Sequence, residues 1–417
     1  MANDRALQTA GSLPRSRFMA LCSDALQGFK SETVRGAPGF FRVGQTHAGA
    51  WWLIGPDDRP FFAAAVNEVQ ALSAVPEDPV APLRGWGFNT LGPGSAPALR
   101  DEGLPFVAVA SFSGVVASIR SPGVRLPDVF DPAWDAAALR HAEDVCPALA
   151  LRRELMGWLS DDGLSWGGID RSDLPSLLQV CLSLEPSFAA YHAAWEFVLA
   201  PYGGQLTRLA KAWGCPWENK AVVRELTRAE QGLRTPGYVR DAARWTREFS
   251  RRYFAATSAA IRAHDPHHLI MGARELRNET ELPHSHEWMT ECVFPATDVA
   301  WVSARAIDSG HPGPLFAGNF TWVGENCRAL PARSRARGVT SLERMLRQGR
   351  ARLKATIAHP AVVGYAWDAW SDAPSDQPPF ARGLVHLNGA EAREHTELLS
   401  DLNRRIPSLR PFPASKS

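Results

Sequence analysis

No charge imbalance, no long apolar run and no patterned cysteines mark this chain, and each absence removes a class of function. Its 417 residues carry 45 lysines and arginines against 44 aspartates and glutamates, a formal charge of +1. There is no net field to hold nucleic acid or an anionic membrane, and a neutral partner is expected. No apolar stretch approaches the roughly 20 residues of a membrane span. The opening residues, MANDRALQTAGSLPRSRFMALCSDALQGF, lack the continuous apolar core of a secretory signal, so a cytoplasmic location is expected. Six cysteines, Cys22, Cys146, Cys181, Cys215, Cys292 and Cys327, show no Cys-x-x-Cys or Cys/His ligand spacing. Reduced, mostly buried thiols are expected, and no metal or other cofactor is implied. His284 and His286 beside Glu287 are half of a metal site at most. With no second ligand pair they read as a loop.

What is present is a large apolar fraction, 45% of residues, much of it in short runs that do not alternate. Such runs occupy residues 60–66, 87–90, 106–110, 156–159, 269–272, 299–302, 315–318 and 363–367. Runs that do not alternate suit parallel strands buried on both faces, and eight of them with helices between predict an α/β chain folded as a (β/α)8 (TIM) barrel. Before the fifth run, Trp245, Phe249 and Tyr253 recur every four residues between charged ones, predicting a helix that stops at His264-Asp265-Pro266. The long stretch 174–232, after the fourth strand, predicts an insertion of extra helices over the rim. Residues 1–35 read as an arm or cap, 36–408 as the barrel and 409–417 as a tail.

In such a barrel the functional groups gather where strands end. Those positions hold Asn67 and Glu68, Asn89, Ser111, Asp161 and Asp162, Arg274 and Glu275, Ser303 and Arg305, Asn319, and then Asp368, Trp370 and Asp372. Together they describe a polar mouth.

Several segments resemble the family 50 glycoside hydrolases, the β-agarases. They are WWLIGPDDRPFF at 51–62, GWGFNTLG at 85–92, LPDVFDPAW at 126–134, DPHHL at 265–269 with Gly272-Ala273-Arg274, and HPAVVGYAW at 359–367. The resemblance implies a retaining glycosidase barrel, in which one glutamic acid protonates the departing oxygen and a second, about 5 Å away, attacks the anomeric carbon. In the family the acid belongs to an Asp-Asn-Glu-Leu-Ser-Trp type segment. This chain reads Asp161-Asp162-Gly163-Leu164-Ser165-Trp166. The family's nucleophile belongs to a Gly-Glu-Phe segment, and this chain reads Gly318-Asn319-Phe320. An amide cannot form the glycosyl ester, so the double displacement is expected to fail. Glu68 stands where the family has histidine, and Ala366 and Asp368 where it has aromatic or imidazole groups.

Four acids are therefore candidate catalytic residues: Asp162, Asp161, Asp368 and Glu68. Adjacent Asp161 and Asp162 match glycosidases that use a neighbouring acetamido group as nucleophile. Alternatively, Asp161 is a structural acid and Asp162 only binds a hydroxyl. Arg274, Arg305 and Glu275 read either as an ion-pair belt or, for the two arginines, as a grip on substrate. Asn67, Asn89 and Asn319 are candidate hydroxyl binders. Of the fifteen tryptophans, Trp166, Trp322, Trp367 and Trp370 lie beside strand ends and are candidate sugar platforms. Trp195, Trp213, Trp217 and Trp245 lie in helical stretches and read as core.

Three functions remain open: a repurposed enzyme doing acid/base chemistry such as cyclisation, elimination or rearrangement on a cyclic or glycosylated small molecule; a non-catalytic carbohydrate-binding protein; and a glycosidase using Asp162 as acid with substrate assistance. A cytoplasmic location favours the first, since agar is an extracellular polymer. In each case the expected partner is a neutral or glycosylated small molecule or an oligosaccharide.

Overall fold

The computed structural model describes residues 26–71, 78–168, 174–215, 235–275, 288–304, 307, 313–323, 342–374 and 381–412. The chain first forms an antiparallel sheet of β1 (Arg42–Gln45), β2 (Trp51–Ile54) and β3 (Pro60–Phe61). The apolar run at 60–66, expected as one strand, divides here. Its first two residues pair back on β2, and β4 (Ala63–Val66) enters a second sheet. In order follow α1 (Val80–Gly85), β5 (Thr90–Leu91), β6 (Phe106–Val109), the hairpin of β7 (Ser118–Ser121) and β8 (Val124–Pro127), α2 (Trp134–Val145), β9 (Leu155–Leu159) and β10 (Asp162–Trp166). Helices α3 (Leu177–Ser183), α4 (Ala189–Leu199), α5 (Leu206–Trp213) and α6 (Pro236–His264) lead to β11 (Leu269–Ile270) and β12 (Arg274–Glu275). The remainder holds β13 (Ala300–Ser303), β14 (Leu315–Phe320), α7 (Leu342–Ala358), β15 (Val362–Trp367), β16 (Ala369–Ser371), β17 (Gly383–Val385) and α8 (Arg393–Arg404).

The main sheet is an eight-stranded parallel one, ordered β11-β9-β6-β5-β4-β15-β14-β13. Each strand falls within or overlaps one of the eight apolar runs. β4, β9 and β15 are buried along their whole length, as strands covered on both faces must be. A fully buried Val, Leu or Phe contributes about 1.5–3 kcal/mol, so continuous apolar strands hold this layer together. The sheet curls, and β11 and β13 at its two ends are not paired as a ladder. Three backbone bonds nevertheless join those ends: Asp298 and Val299 N–H donate to the Ile270 carbonyl (2.8 and 3.2 Å), and Trp301 N–H to that of Met271 (2.9 Å).

Helix α6 runs as its four-residue spacing predicts. Trp245, Phe249 and Tyr253 are fully buried, the Thr235 hydroxyl caps the Tyr238 N–H, and the helix ends at His264 before Asp265-Pro266. Trp195 and Trp213 are also core. Trp217, Cys22, Cys327, His284, His286 and Glu287 lie outside the described residues. Cys146, Cys181, Cys215 and Cys292 are free thiols, all but Cys215 buried, and burial pushes Cys146 and Cys292 up to about 12. No described helix is long and apolar enough to cross a membrane.

A further sheet, ordered β12-β10-β8-β7, is absent from the sequence reading. β10 and β12 are the continuations of β9 and β11 beyond the main sheet, so this sheet sits over the strand ends and positions the side chains that follow them.

Candidate functional site

The parallel pairing of β10 with β12 sets Asp162 opposite Arg274. That register makes an ion pair: Arg274 Nε donates to Asp162 Oδ1 at 2.5 Å. Its Nη2 donates to Glu68 Oε1 at 2.7 Å, bridging from β12 to the residues just past β4. The guanidinium side chain is 10% exposed, against 26% for Asp162 and 46% for Glu68. Burial would lower the Arg274 pKa, but the two carboxylates outweigh it and hold the group above its ordinary value. Arg274 Nη1 is buried and has no protein partner among the described residues. Three predicted residues thus meet in one fork whose two acids face the open side. Arg305 lies outside the described residues.

Asp161 and Asp162 point to opposite environments, as neighbours on an extended segment do. Asp161 is 1% exposed. It accepts the Ser113 N–H at 2.9 Å and the Tyr253 hydroxyl at 2.5 Å. Burial raises its carboxyl pKa, and these donors pull it partly back. Burial and the neighbouring Asp161 in turn raise the Tyr253 phenol well above its ordinary value, keeping it a donor. Asp161 is therefore a sealed acid that ties β9 to α6, and the expectation of a catalytic role for it is corrected. Tyr253 was legible only as a core residue of an amphipathic helix.

Gly163 and Asn319, which the resemblance sets at the family's glutamate positions, share one backbone property. Both have positive φ, +89° and +49°, a region that glycine takes freely and asparagine more readily than most residues. Glu68 (+61°) and Ser111 (+70°) do the same. Three of the four described non-glycine residues with positive φ therefore stand at or just past the ends of main-sheet strands. Such conformations concentrate at functional sites. At Asn319 the β14–β15 register slips, and the preceding Gly318 leaves room for Trp301, whose Nε1 would lie 1.9 Å from a Cβ at 318. Asn319 Oδ1 accepts from Asn67 Nδ2 at 3.2 Å, linking the ends of β14 and β4.

Other expectations are corrected. Asp368 is fully buried and receives Arg382 Nη1 at 2.9 Å, which removes it from solvent. Arg382 carried no signal in the sequence. Asn89 lies beside the middle of β4, where its amide accepts from Ala64 N–H (2.8 Å) and donates to the Phe62 carbonyl (3.0 Å). Both ends of that amide serve the backbone, leaving it a strand brace and not a hydroxyl binder. Trp166, Trp322, Trp367 and Trp370 are 6% exposed or less. Trp166 packs among Phe249, Tyr253 and Phe254, and Trp322 against Trp367. None offers an indole face to a sugar. Asp372, by contrast, is bonded by Gly383 N–H and His386, a structural use.

No protein-family model matches the chain. Among curated proteins it is 28% identical to β-agarase A of Vibrio sp. (strain JT0107) over 210 residues, 46% of this chain but only 20% of that one. The chain thus spans about a fifth of the length of that curated relative. Among solved structures it superposes on an exo-β-agarase with TM-score 0.65 and 16% identity, covering 98% of this chain and 72% of that one. A second agarase gives the same TM-score and identity over 97% and 72%. A β-galactosidase from Bacillus circulans sp. alkalophilus gives 0.53 and 13%, over 84% and 56%. The fold is therefore that of the family 50 β-agarases, carried by a divergent chain.

Proposed function

We propose that this protein recognises a neutral sugar or glycosylated small molecule at the strand-end mouth, without the two-glutamate displacement of a retaining glycosidase. The framework is taken as a (β/α)8 barrel over residues 36–408, a reading supported by the curled eight-stranded parallel sheet and the three backbone bonds between its end strands. One observation carries the reading: Glu68 and Asp162, the acids of the mouth that reach solvent, are both bound to the single guanidinium of Arg274. A carboxylate oxygen of each is thus already taken by one cation, an arrangement for holding groups in place and not the separate acid and nucleophile of a double displacement. The positive φ of Gly163 and Asn319 supports the same reading, since glutamate at either position would be strained. Two carboxylates and a guanidinium together offer acceptors and donors, which matches hydroxyl groups that do both.

The half exposure of Glu68 favours a second reading, an enzyme that uses this carboxylate as a base for elimination or rearrangement. Substrate assistance is disfavoured, because Asp161 is sealed below the mouth and Asp162 is tied to Arg274.

Calorimetry with an agarose-derived tetrasaccharide, alongside chromogenic β-galactosides and N-acetylhexosaminides, tests these readings. We expect binding that weakens about tenfold or more in Glu68→Gln/Asp162→Asn, with no chromophore released. Release that Asp162→Asn abolishes overturns the proposal in favour of a glycosidase. Absence of any heat of binding overturns sugar recognition at the mouth.

A further inference from the structure

Every described tryptophan but one is buried, and the exception, Trp86, is only partly covered. It lies at the end of α1 in a groove of about 400 Å³ against α8, together with Glu397, Ser400, Asp401, Arg404 and Arg405. None of the strand-end residues lines this groove, which is on the outer wall. We propose that it is a second carbohydrate site, taking a neutral sugar unit of an oligo- or polysaccharide on the Trp86 indole.

Shape and charge both lead there. An indole offers a flat apolar face to the C–H face of a pyranose, while its edge and rim stay polar. Around it, carboxylates accept, guanidinium groups donate and Ser400 does both, the pattern that ring hydroxyls require. Charge is nearly balanced: Asp401 is paired to Arg350 and lies 3.6 Å from Arg405, so a strongly charged ligand has no net field to meet. The volume falls within the range of small-molecule sites.

The platform is also fixed before any ligand arrives. Trp86 packs on buried Trp370 with centroids 6.0 Å apart. Its carbonyl accepts the Asn403 amide (3.0 Å), and the Gly85 carbonyl accepts Arg404 Nη2 (3.1 Å), so the end of α1 is pinned to the end of α8. A rigid aromatic wall loses little entropy on binding. The ligand class follows the carbohydrate reading above, but the surface is separate from the mouth and is tested separately.

Electrophoresis of the full chain through gels containing agarose-derived or other neutral polysaccharide reads retardation by the polymer. Wild-type protein is expected to be retarded, and Trp86→Ala to lose about fivefold or more in apparent affinity. Since Trp86 also packs on Trp370, Glu397→Lys provides a second variant on an exposed position of α8, expected to weaken retention without lowering Tm. In a Glu68→Gln background, where the mouth is weakened, Trp86→Ala is expected to remove the retardation that remains. Retardation unchanged in both groove variants overturns the groove site, as does a wild-type protein that no polymer retards. In either case the mouth is judged by its own calorimetry with the tetrasaccharide. Loss of retardation in the groove variants, in the wild-type and the Glu68→Gln background alike, supports the groove even if the mouth binds nothing.

Discussion

Arg274 carries more of the site than any other side chain, because it is the cation that lets two acids stand in one mouth. Removing it leaves Asp162 and Glu68 facing each other across a gap lined by protein, and a carboxylate without its partner is costly where water is scarce. Both acids retain some solvent, which screens that cost. Arg274→Met is therefore expected to lower stability by about 2 kcal/mol in urea unfolding, and the triple variant with Glu68→Gln and Asp162→Asn to recover most of it. A triple variant no more stable than Arg274→Met alone would show that the guanidinium acts through packing instead. Backbone sets the other limit at this scale. Gly163 at φ +89° should lose about 1–2 kcal/mol on replacement by alanine. Asn319→Gly and Asn319→Ala both lose the bond to buried Asn67, but at φ +49° the alanine variant should be the less stable by about 1 kcal/mol. Equal losses in these two Asn319 variants would contradict the conformational argument.

At the scale of elements, the turn between α6 and β11 is the best-built corner of the molecule. Asp265 is fully buried there, and it accepts the Trp158 indole N–H (2.7 Å), His268 Nδ1 (2.7 Å) and the backbone N–H groups of His267 and His268. Burial alone would raise its carboxyl pKa, but His268 and these donors outweigh it and hold the group below the ordinary carboxylate value. A depressed folded-state pKa means that the unfolded chain binds the proton more readily. The stabilisation is therefore complete above the ordinary Asp range, near pH 4, and is lost as pH falls through the folded value. Asp265→Asn should cost about 2 kcal/mol at pH 7, with the gap to wild type narrowing below pH 4. A gap constant with pH would assign the loss to geometry alone. This corner was legible in outline, because a helical apolar period met Asp-Pro. Most of the eight strands were legible for a similar reason, each lying in a short apolar run, β5 at Thr90–Leu91 being the exception. What the sequence could not display was β10 pairing with β12, since Asp162–Trp166 and Arg274–Glu275 have no apolar alternation of their own. Without that register, Asp162 and Arg274 remain two charges 112 residues apart. The tryptophans failed for a related reason. A strand-end position does not say which way an indole turns, and Trp166, Trp322, Trp367 and Trp370 turn inward.

Across the whole molecule, binding groups and fastening groups occupy opposite ends of the strands. Glu68, Asp162 and Asn319 stand at or beyond strand C-termini, whereas Arg410 closes the other end. Its guanidinium is 5% exposed and donates to the carbonyls of Ile357 (3.1 Å), His359 (2.5 Å), Pro360 (3.2 Å) and Trp51. It also lies over the Trp52 and Phe62 rings at 4.9 and 5.6 Å. One side chain thus joins the segment after α8 to β2 and to the turn between α7 and β15. Burial, with no acidic partner among the described residues, lowers its pKa to about 10, so the group stays a cation at neutral pH and must keep its carbonyls satisfied. Arg410→Ala opens a cavity and takes the guanidinium donors from four carbonyls, of which those of His359 and Pro360 keep the backbone donors Val362 and Trp51, and should cost about 3 kcal/mol. Lysine cannot reach the same set of carbonyls from one planar fork, so Arg410→Lys should recover only part of the loss. Since strand C-termini serve function and the opposite end serves stability in barrels of this kind, Arg410→Ala should lower Tm while leaving tetrasaccharide affinity unchanged. Glu68→Gln should do the reverse. If instead Arg410→Ala weakens the ligand as much as it lowers Tm, the two ends of the sheet are coupled and the mouth depends on the clasp beneath it.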